Sequence, residues 1–303
     1  MTATTATMTA QIPTGTRPVV VGVDGSASAF EAVRWAAVEA ERRAAPLRLV
    51  MVFAGVPDRP RLGERYRKEL LERSRKHLLS DAVTAAEWSV SGLQVSAELV
   101  VGSPIATLHA ESRRAQLLVL GSRGLGGVGG LFVGSVTVAL AAHAACPVVV
   151  VRGDDRDALS PEPVVVGVDG TPTSEAAIAF AFDAAAARGV PLVAVHTWSD
   201  FVFDPQLATF IDWAVIERNE QVVLSERLAG WSEKYPDVPV TKVVERGSAA
   251  DELVERSKRA QLVVVGSRGR GNFIGLVLGS VSHGVLHRSH CPVAVIRPGG
   301  GGG

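Results

Sequence analysis

Seven consecutive residues, Val19-Val20-Val21-Gly22-Val23-Asp24-Gly25, recur 145 positions later as Val164-Val165-Val166-Gly167-Val168-Asp169-Gly170. The same offset carries Gln116 to Gly124 onto Gln261 to Gly269, Gly134-Ser135 onto Gly279-Ser280, and Cys146-Pro147-Val148 onto Cys291-Pro292-Val293. A 303-residue chain written this way folds as one unit used twice, each copy long enough to bury its own core. With 47% hydrophobic and 20% charged residues, apolar material suffices for two such cores. The copies are expected at 17–152 and 163–298. Residues 153–162, polar and holding Ser160-Pro161-Glu162, are the expected linker. Residues 1–16 read as a disordered tail and 299–303 as a flexible glycine end.

Within each copy, short β-branched runs alternate with longer segments of helical period, the signature of βαβ units around a buried parallel sheet. Strands are predicted near 18–24, 47–53, 94–101, 116–121 and 147–151, which makes each copy a doubly wound α/β domain of five strands and four helices. Helix starts are signalled by Ser28 with Glu31 in capping-box spacing and by Ser103-Pro104; the second copy has Thr171-Pro172 and Ser248 with Asp251.

The chemistry sits in a glycine pattern found in both copies. Gly121-Ser122-Arg123-Gly124 follows an apolar run, and after nine intervening residues Gly134-Ser135-Val136 opens an alanine-rich helix. Gly266-Ser267-Arg268-Gly269 and Gly279-Ser280-Val281 repeat those intervals. A phosphate chain needs converging backbone N–H groups with no Cβ in the way, and a helix start supplies both donors and the positive end of a dipole. Glycines in such loops also serve as plain turn devices, and Asp24 and Asp169, each before a glycine, also suit a tight turn. No Gly-x4-Gly-Lys-Ser/Thr sequence is present, so a polyanion here would bind without a phosphate-loop lysine.

Taken with the Val-Gly-Val-Asp-Gly opening and the Cys-Pro-Val ending, the Gly-x2-Gly-x9-Gly-Ser spacing resembles the universal stress protein family, in its tandem, ATP-binding form. The resemblance implies Rossmann-like domains of the adenine nucleotide alpha hydrolase-like type, with the first and fourth strands adjacent. It implies that Asp24 and Asp169 lie near adenine and ribose, that Gly22 and Gly167 lie beneath the nucleotide, and that the glycine loops hold ribose and phosphates. It also implies a contact from Asp200, just past the second strand of the second copy, where the first copy has Gly55.

The functional expectation is an ATP-binding stress-response regulator, with Mg2+ accompanying the nucleotide. A slow ATPase and a receptor for cyclic AMP or another adenylate are the alternatives. Thirty-one basic residues against thirty-one acidic ones give no overall field toward nucleic acid or an anionic membrane, and no apolar run approaches bilayer length. The basic stretch from Arg59 to His77 reads as a solvated helix face, with a nucleic-acid or partner patch as the alternative. Two cysteines, Cys146 and Cys291, fit buried structural thiols and a reducing cytoplasm. The last strands, near 147–151 and 292–296, are expected to pair the copies as an intra-chain pseudo-dimer, and a homodimer of the whole chain remains open.

Overall fold

The computed structural model describes residues 7–8, 16–53, 64–124, 133–152, 161–198, 212–269 and 278–298, with side chains omitted at 7–8 and 64–72. The chain divides into two compact units, Met1–Val151 and Arg152–Gly303. In the first, β1 (Thr7–Met8) precedes β2 (Val19–Val23), α1 (Ala27–Arg42), β3 (Leu47–Phe53), α2 (Glu64–Ser89) and β4 (Val95–Val101). There follow α3 (Pro104–Ser112), β5 (Leu117–Gly121), α4 (Ser135–His143) and β6 (Val148–Val151). In the second come β7 (Val164–Gly167), α5 (Pro172–Arg188), β8 (Leu192–Trp198), α6 (Trp213–Lys234) and β9 (Val240–Arg246). That unit ends with α7 (Ala249–Arg256), β10 (Leu262–Gly266), α8 (Ser280–Arg288) and β11 (Val293–Ile296).

The strand order is β4-β3-β2-β5-β6 in the first unit and β9-β8-β7-β10-β11 in the second, parallel throughout. Two residues of the expected N-terminal tail, β1, pair antiparallel with β4, Thr7 opposite Glu98 and Met8 opposite Ala97. Central strands are sealed on both faces: Val19, Val20 and Val21 of β2 and Leu117, Leu118 and Val119 of β5 are fully buried. That double burial is why they read as unbroken apolar runs. α1 packs through Ala29, Ala32, Val33, Ala36, Ala37 and Ala40, all at 3% exposure or less, and these small side chains at helical spacing let it lie close to the sheet. α1 and α2 cover one face, α3 and α4 the other, and the second unit repeats this with α5 and α6 against α7 and α8.

Three of the four expected helix starts stand at Ser103, Thr171 and Ser248; the Thr171 and Ser248 hydroxyls accept from Ser174 N (3.3 Å) and Asp251 N (3.3 Å). The capping box at Ser28 does not form. Asp24 Oδ1 accepts from Ser26 N at 2.9 Å and Gly25 sits at φ +90°, so the chain enters the helix two residues sooner, with Ser26 as the cap. Ser28 then falls inside the first turn and bonds elsewhere.

The helix ends differ between the copies. α5 stops at Gly189 with φ +63°, the left-handed geometry that glycine takes without strain. Its first-copy counterpart is Ala44, held at φ +46°. Ala44→Gly is therefore expected to stabilise the first unit by about 1 kcal/mol, measurable in urea melts, because the left-handed strain on an L-residue of about 1 to 2 kcal/mol exceeds the added chain entropy. An unchanged or lower midpoint would refute this.

Candidate functional site

In each unit the connections leave in opposite directions from the pair β2/β5 or β7/β10, so a crevice opens at the carboxyl ends of those strands. The second unit carries there a cavity of about 260 Å³. Gly167 and Asp169 reach it from the end of β7, Gly266 from the end of β10, Arg268 and Gly269 from the loop that follows, and Gly279, Ser280 and Val281 from the start of α8. Ser267 is not part of the lining. It is 4% exposed, its N–H donating to Ile296 O (2.7 Å) and its carbonyl accepting from Gly279 N (2.9 Å), which fastens the loop to β11 and to the helix start. Asp200 lies outside the described residues.

Asp169 does two things at once. Its Oδ1 accepts from Thr171 N (3.0 Å) and Thr171 Oγ1 (2.7 Å), closing the turn that starts α5. Its Oδ2 faces the glycine loop so closely that a Cβ on Gly269 would lie 2.6 Å from it. This carboxylate therefore both closes the turn and lines the cavity. Behind it, Asp169 N donates to Ser174 Oγ (3.1 Å), and the preceding carbonyl, Val168 O, lies 2.7 Å from His196 Nδ1. The other ring nitrogen of that buried histidine contacts Glu220 Oε2 at 2.9 Å, tying the end of β7 to β8 and α6.

At the start of α8, Gly279 adopts extended φ and ψ and caps the helix without a side chain. Its carbonyl accepts from His283 N (2.9 Å), whereas the N–H groups of Ser280, Val281 and Ser282 have no hydrogen-bond partner among the described residues. Ser282 turns its hydroxyl inward to donate to Gly266 O (2.5 Å), so it braces the loop, and Ser280 is exposed. Three free donors and a helix dipole thus point at one opening.

The first unit repeats the frame. Gly134 N donates to Ser122 O (3.0 Å), Thr137 Oγ1 donates to Gly121 O (3.0 Å), and a Cβ on Gly124 would lie 2.6 Å from Asp24 Oδ2. Ser135 is exposed and Val136 half-buried at the start of α4; like those of α8, the Ser135, Val136 and Thr137 amides have no partner among the described residues. Ser122 is 6% exposed and donates to Val151 O (3.1 Å). Arg123 is anchored by its backbone: its N–H donates to Ser28 Oγ (3.1 Å) and its carbonyl accepts from Ser28 Oγ (2.5 Å) and Ser26 Oγ (3.2 Å). Gly22 sits under Leu120 and Leu108.

Sequence reasoning missed Ser174, Thr197, Leu253, Val265 and Ser282 as cavity residues. The pair Thr137/Ser282 carried a signal, a hydroxyl third from the helix start in both copies. Val265 and Leu253 carried none, since a pocket wall and a core side chain have the same sequence signature. Both cysteines are free and buried, and burial pushes the Cys146 thiol up to about 12, so it is no nucleophile at neutral pH.

Among the described residues no helix is long and apolar enough to cross a membrane. The model of the Universal stress protein family matches twice, over residues 15–152 and 161–297. A universal stress protein of Mycolicibacterium smegmatis is 43% identical over 288 residues, spanning 92% of this chain and 97% of that protein. One from Mycobacterium tuberculosis is 42% identical over 286 residues, spanning 92% and 96%. Among solved structures, a universal stress protein from Archaeoglobus fulgidus superposes with a TM-score of 0.69 at 20% identity, covering 94% of this chain and 97% of that one. Two tandem matches covering nearly all of the chain, each over a unit with the strand order and glycine frame described above, place this protein in the universal stress protein family.

Proposed function

We propose that the protein is a nucleotide-responsive regulator of the stress response in the cytoplasm, binding ATP with Mg2+ at the crevice of each half. One observation carries the reading: three unpartnered amides at the start of α8 converge with the Asp169 carboxylate and the Gly269 loop on a single cavity. In it, the Ser280 and Val281 amides and the Ser280 hydroxyl receive phosphate oxygens, Asp169 Oδ2 accepts from ribose hydroxyls, and Val195, Leu253 and Val265 give the base an apolar wall. The cavity volume, about 260 Å³, stands just under the roughly 300 Å³ at which small-molecule pockets begin, which suits a nucleoside with its phosphates reaching outward past exposed Ser280. Mg2+ rides on the phosphates, in keeping with its preference for phosphate oxygens, waters and one or two carboxylates.

Charge-assisted hydrogen bonds contribute about 1.5 to 3 kcal/mol each, so three or four reach the roughly 8 kcal/mol of micromolar binding once ordering costs are subtracted. Occupancy links the end of β7, the loop after β10 and the start of α8, segments far apart in sequence. ATP at a hundredfold excess over its dissociation constant is therefore expected to stabilise the fold by about 2.7 kcal/mol, read as a thermal shift. If saturating ATP produces neither a shift in melting nor calorimetric heat, the proposal fails. Displacement of ATP by cyclic AMP in the same titration would move the ligand assignment to the cyclic nucleotide, and single-turnover hydrolysis lost in Asp169→Ala would move it toward catalysis.

A further inference from the structure

The repeat invites the assumption of two equal sites, yet the side chains beneath the two crevices differ. Over Gly167, the position a Cβ would occupy lies 3.0 Å from Leu253 Cδ1 on one side but 3.8 Å from Val265 Cγ1 on the other. Over Gly22 the equivalent point is pressed from both sides, 2.9 Å from Leu108 Cδ1 and 2.8 Å from Leu120 Cδ2. Leu108 and Leu253 correspond; Leu120 stands where the second copy has Val265. One extra methylene therefore projects into the floor of the first crevice at the point where, in the second, Val265 lines the cavity.

The polar fittings differ in the same direction. Thr197 lines the second cavity, with a hydroxyl that has no partner among the described residues; its counterpart is Val52, which offers no hydrogen bond. Thr171 gives both its N–H and its hydroxyl to Asp169 Oδ1, and Ser174 accepts from the Asp169 N–H. In the first copy Ser26 spends its hydroxyl on the Arg123 carbonyl instead, and Ala29 stands in place of Ser174. Both carboxylates are held by the N–H two residues on, Ser26 N to Asp24 Oδ1 and Thr171 N to Asp169 Oδ1, but only the second is held by a hydroxyl as well; in the first copy that hydroxyl ties down the glycine loop.

We infer that the two halves are unequal nucleotide sites, the second tight and the first weak, and that the Leu120/Val265 difference is the main determinant of that inequality. The inference rests on the nucleotide reading above. One methylene in an apolar pocket changes discrimination by roughly 10- to 200-fold, so the affinities are expected to differ by about tenfold or more. The chain would then respond to nucleotide in two stages, the second half filling first.

Calorimetric titration of the full chain with Mg-ATP tests this without any variant. The expected isotherm shows one tight site per chain and a second site about tenfold or more weaker. Leu120→Val is expected to draw the weak site toward the tight one, and Val265→Leu to weaken the tight site by a similar factor. Both are small buried apolar exchanges, and melting curves without ligand verify that each variant folds. Two sites of equal affinity in the unaltered chain overturn the inference while leaving nucleotide binding intact. A tight phase that survives Val265→Leu but disappears on disabling the first half through Ser135→Asp overturns it too. Absence of any binding removes this inference together with the reading on which it stands.

Discussion

Ser280→Asp is expected to lower ATP affinity at the second site at least a hundredfold while leaving the fold slightly more stable. Ser280 is exposed, opens α8 and makes no hydrogen bond through its hydroxyl among the described residues. An aspartate there removes one donor to phosphate, about 1.5 to 3 kcal/mol, and sets a negative charge against the polyanion. At about 4 Å and an effective dielectric constant near 20, that repulsion is about 4 kcal/mol before relaxation. Either contribution approaches the roughly 2.8 kcal/mol of a hundredfold change, and together they exceed it. The same carboxylate complements the helix dipole and gains about 0.3 to 1 kcal/mol for the folded chain. Loss of binding without loss of stability separates a ligand cradle from a merely structural helix start. Titration calorimetry and a urea melt read the two effects, and affinity retained within about threefold would show that phosphate does not lie at this helix end.

The second large effect is on stability. Gly121 ends β5 against the first turn of α1, and a Cβ there would stand 2.7 Å from both the carbonyl carbon and the carbonyl oxygen of Ser28. Because the obstacle is backbone, no rotamer change relieves it. Gly121→Ala must push α1 away and break the two bonds by which Ser28 Oγ holds Arg123. Overpacking of this kind costs about 1 to 3 kcal/mol, and each lost hydrogen bond about 0.5 to 1.5 kcal/mol. A loss near 3 kcal/mol lowers the melting temperature of the first unit by roughly 10 °C, visible by scanning calorimetry. The corresponding Gly266→Ala meets the Thr173 Cγ2 methyl at 2.7 Å and Arg268 O at 3.1 Å. A threonine side chain yields more readily than a helix backbone, so its effect is expected to be smaller. Equal shifts in the two variants would contradict the packing argument.

The fold was legible because parallel strands buried on both faces leave little freedom in composition. The runs expected at 18–24, 47–53, 94–101, 116–121 and 147–151 became Val19–Val23, Leu47–Phe53, Val95–Val101, Leu117–Gly121 and Val148–Val151, each within a residue or so. The helix start at Ser28 failed for a local reason. Ser26 and Ser28 are both competent caps, and the choice fell to the Asp24-Gly25 turn, whose left-handed glycine delivers the chain early. What Ser28 does instead could not be read locally, since its partner Arg123 lies 95 positions away. At the site, duplication exposed the glycines and the serines of the helix starts, which have no reason to keep their intervals except a shared geometry. The walls stayed hidden. Thr197 reads as the end of a strand, Val265 as core, and only their position beside Gly167 and Gly266 gives them a second role.

Adjacency of β7 and β10 also has a consequence for a chain still being made. Asp169 emerges from the ribosome early in the second half, whereas Gly269 and Ser280 emerge almost at its end, and the crevice exists only once both have met. On the proposed reading, a nucleotide would therefore act on each half only once that half is finished, rewarding its last long-range contact to close. A chain cut short before α8 would contain most of the second unit's hydrophobic core and lack the helix start of its crevice, while keeping the first unit whole.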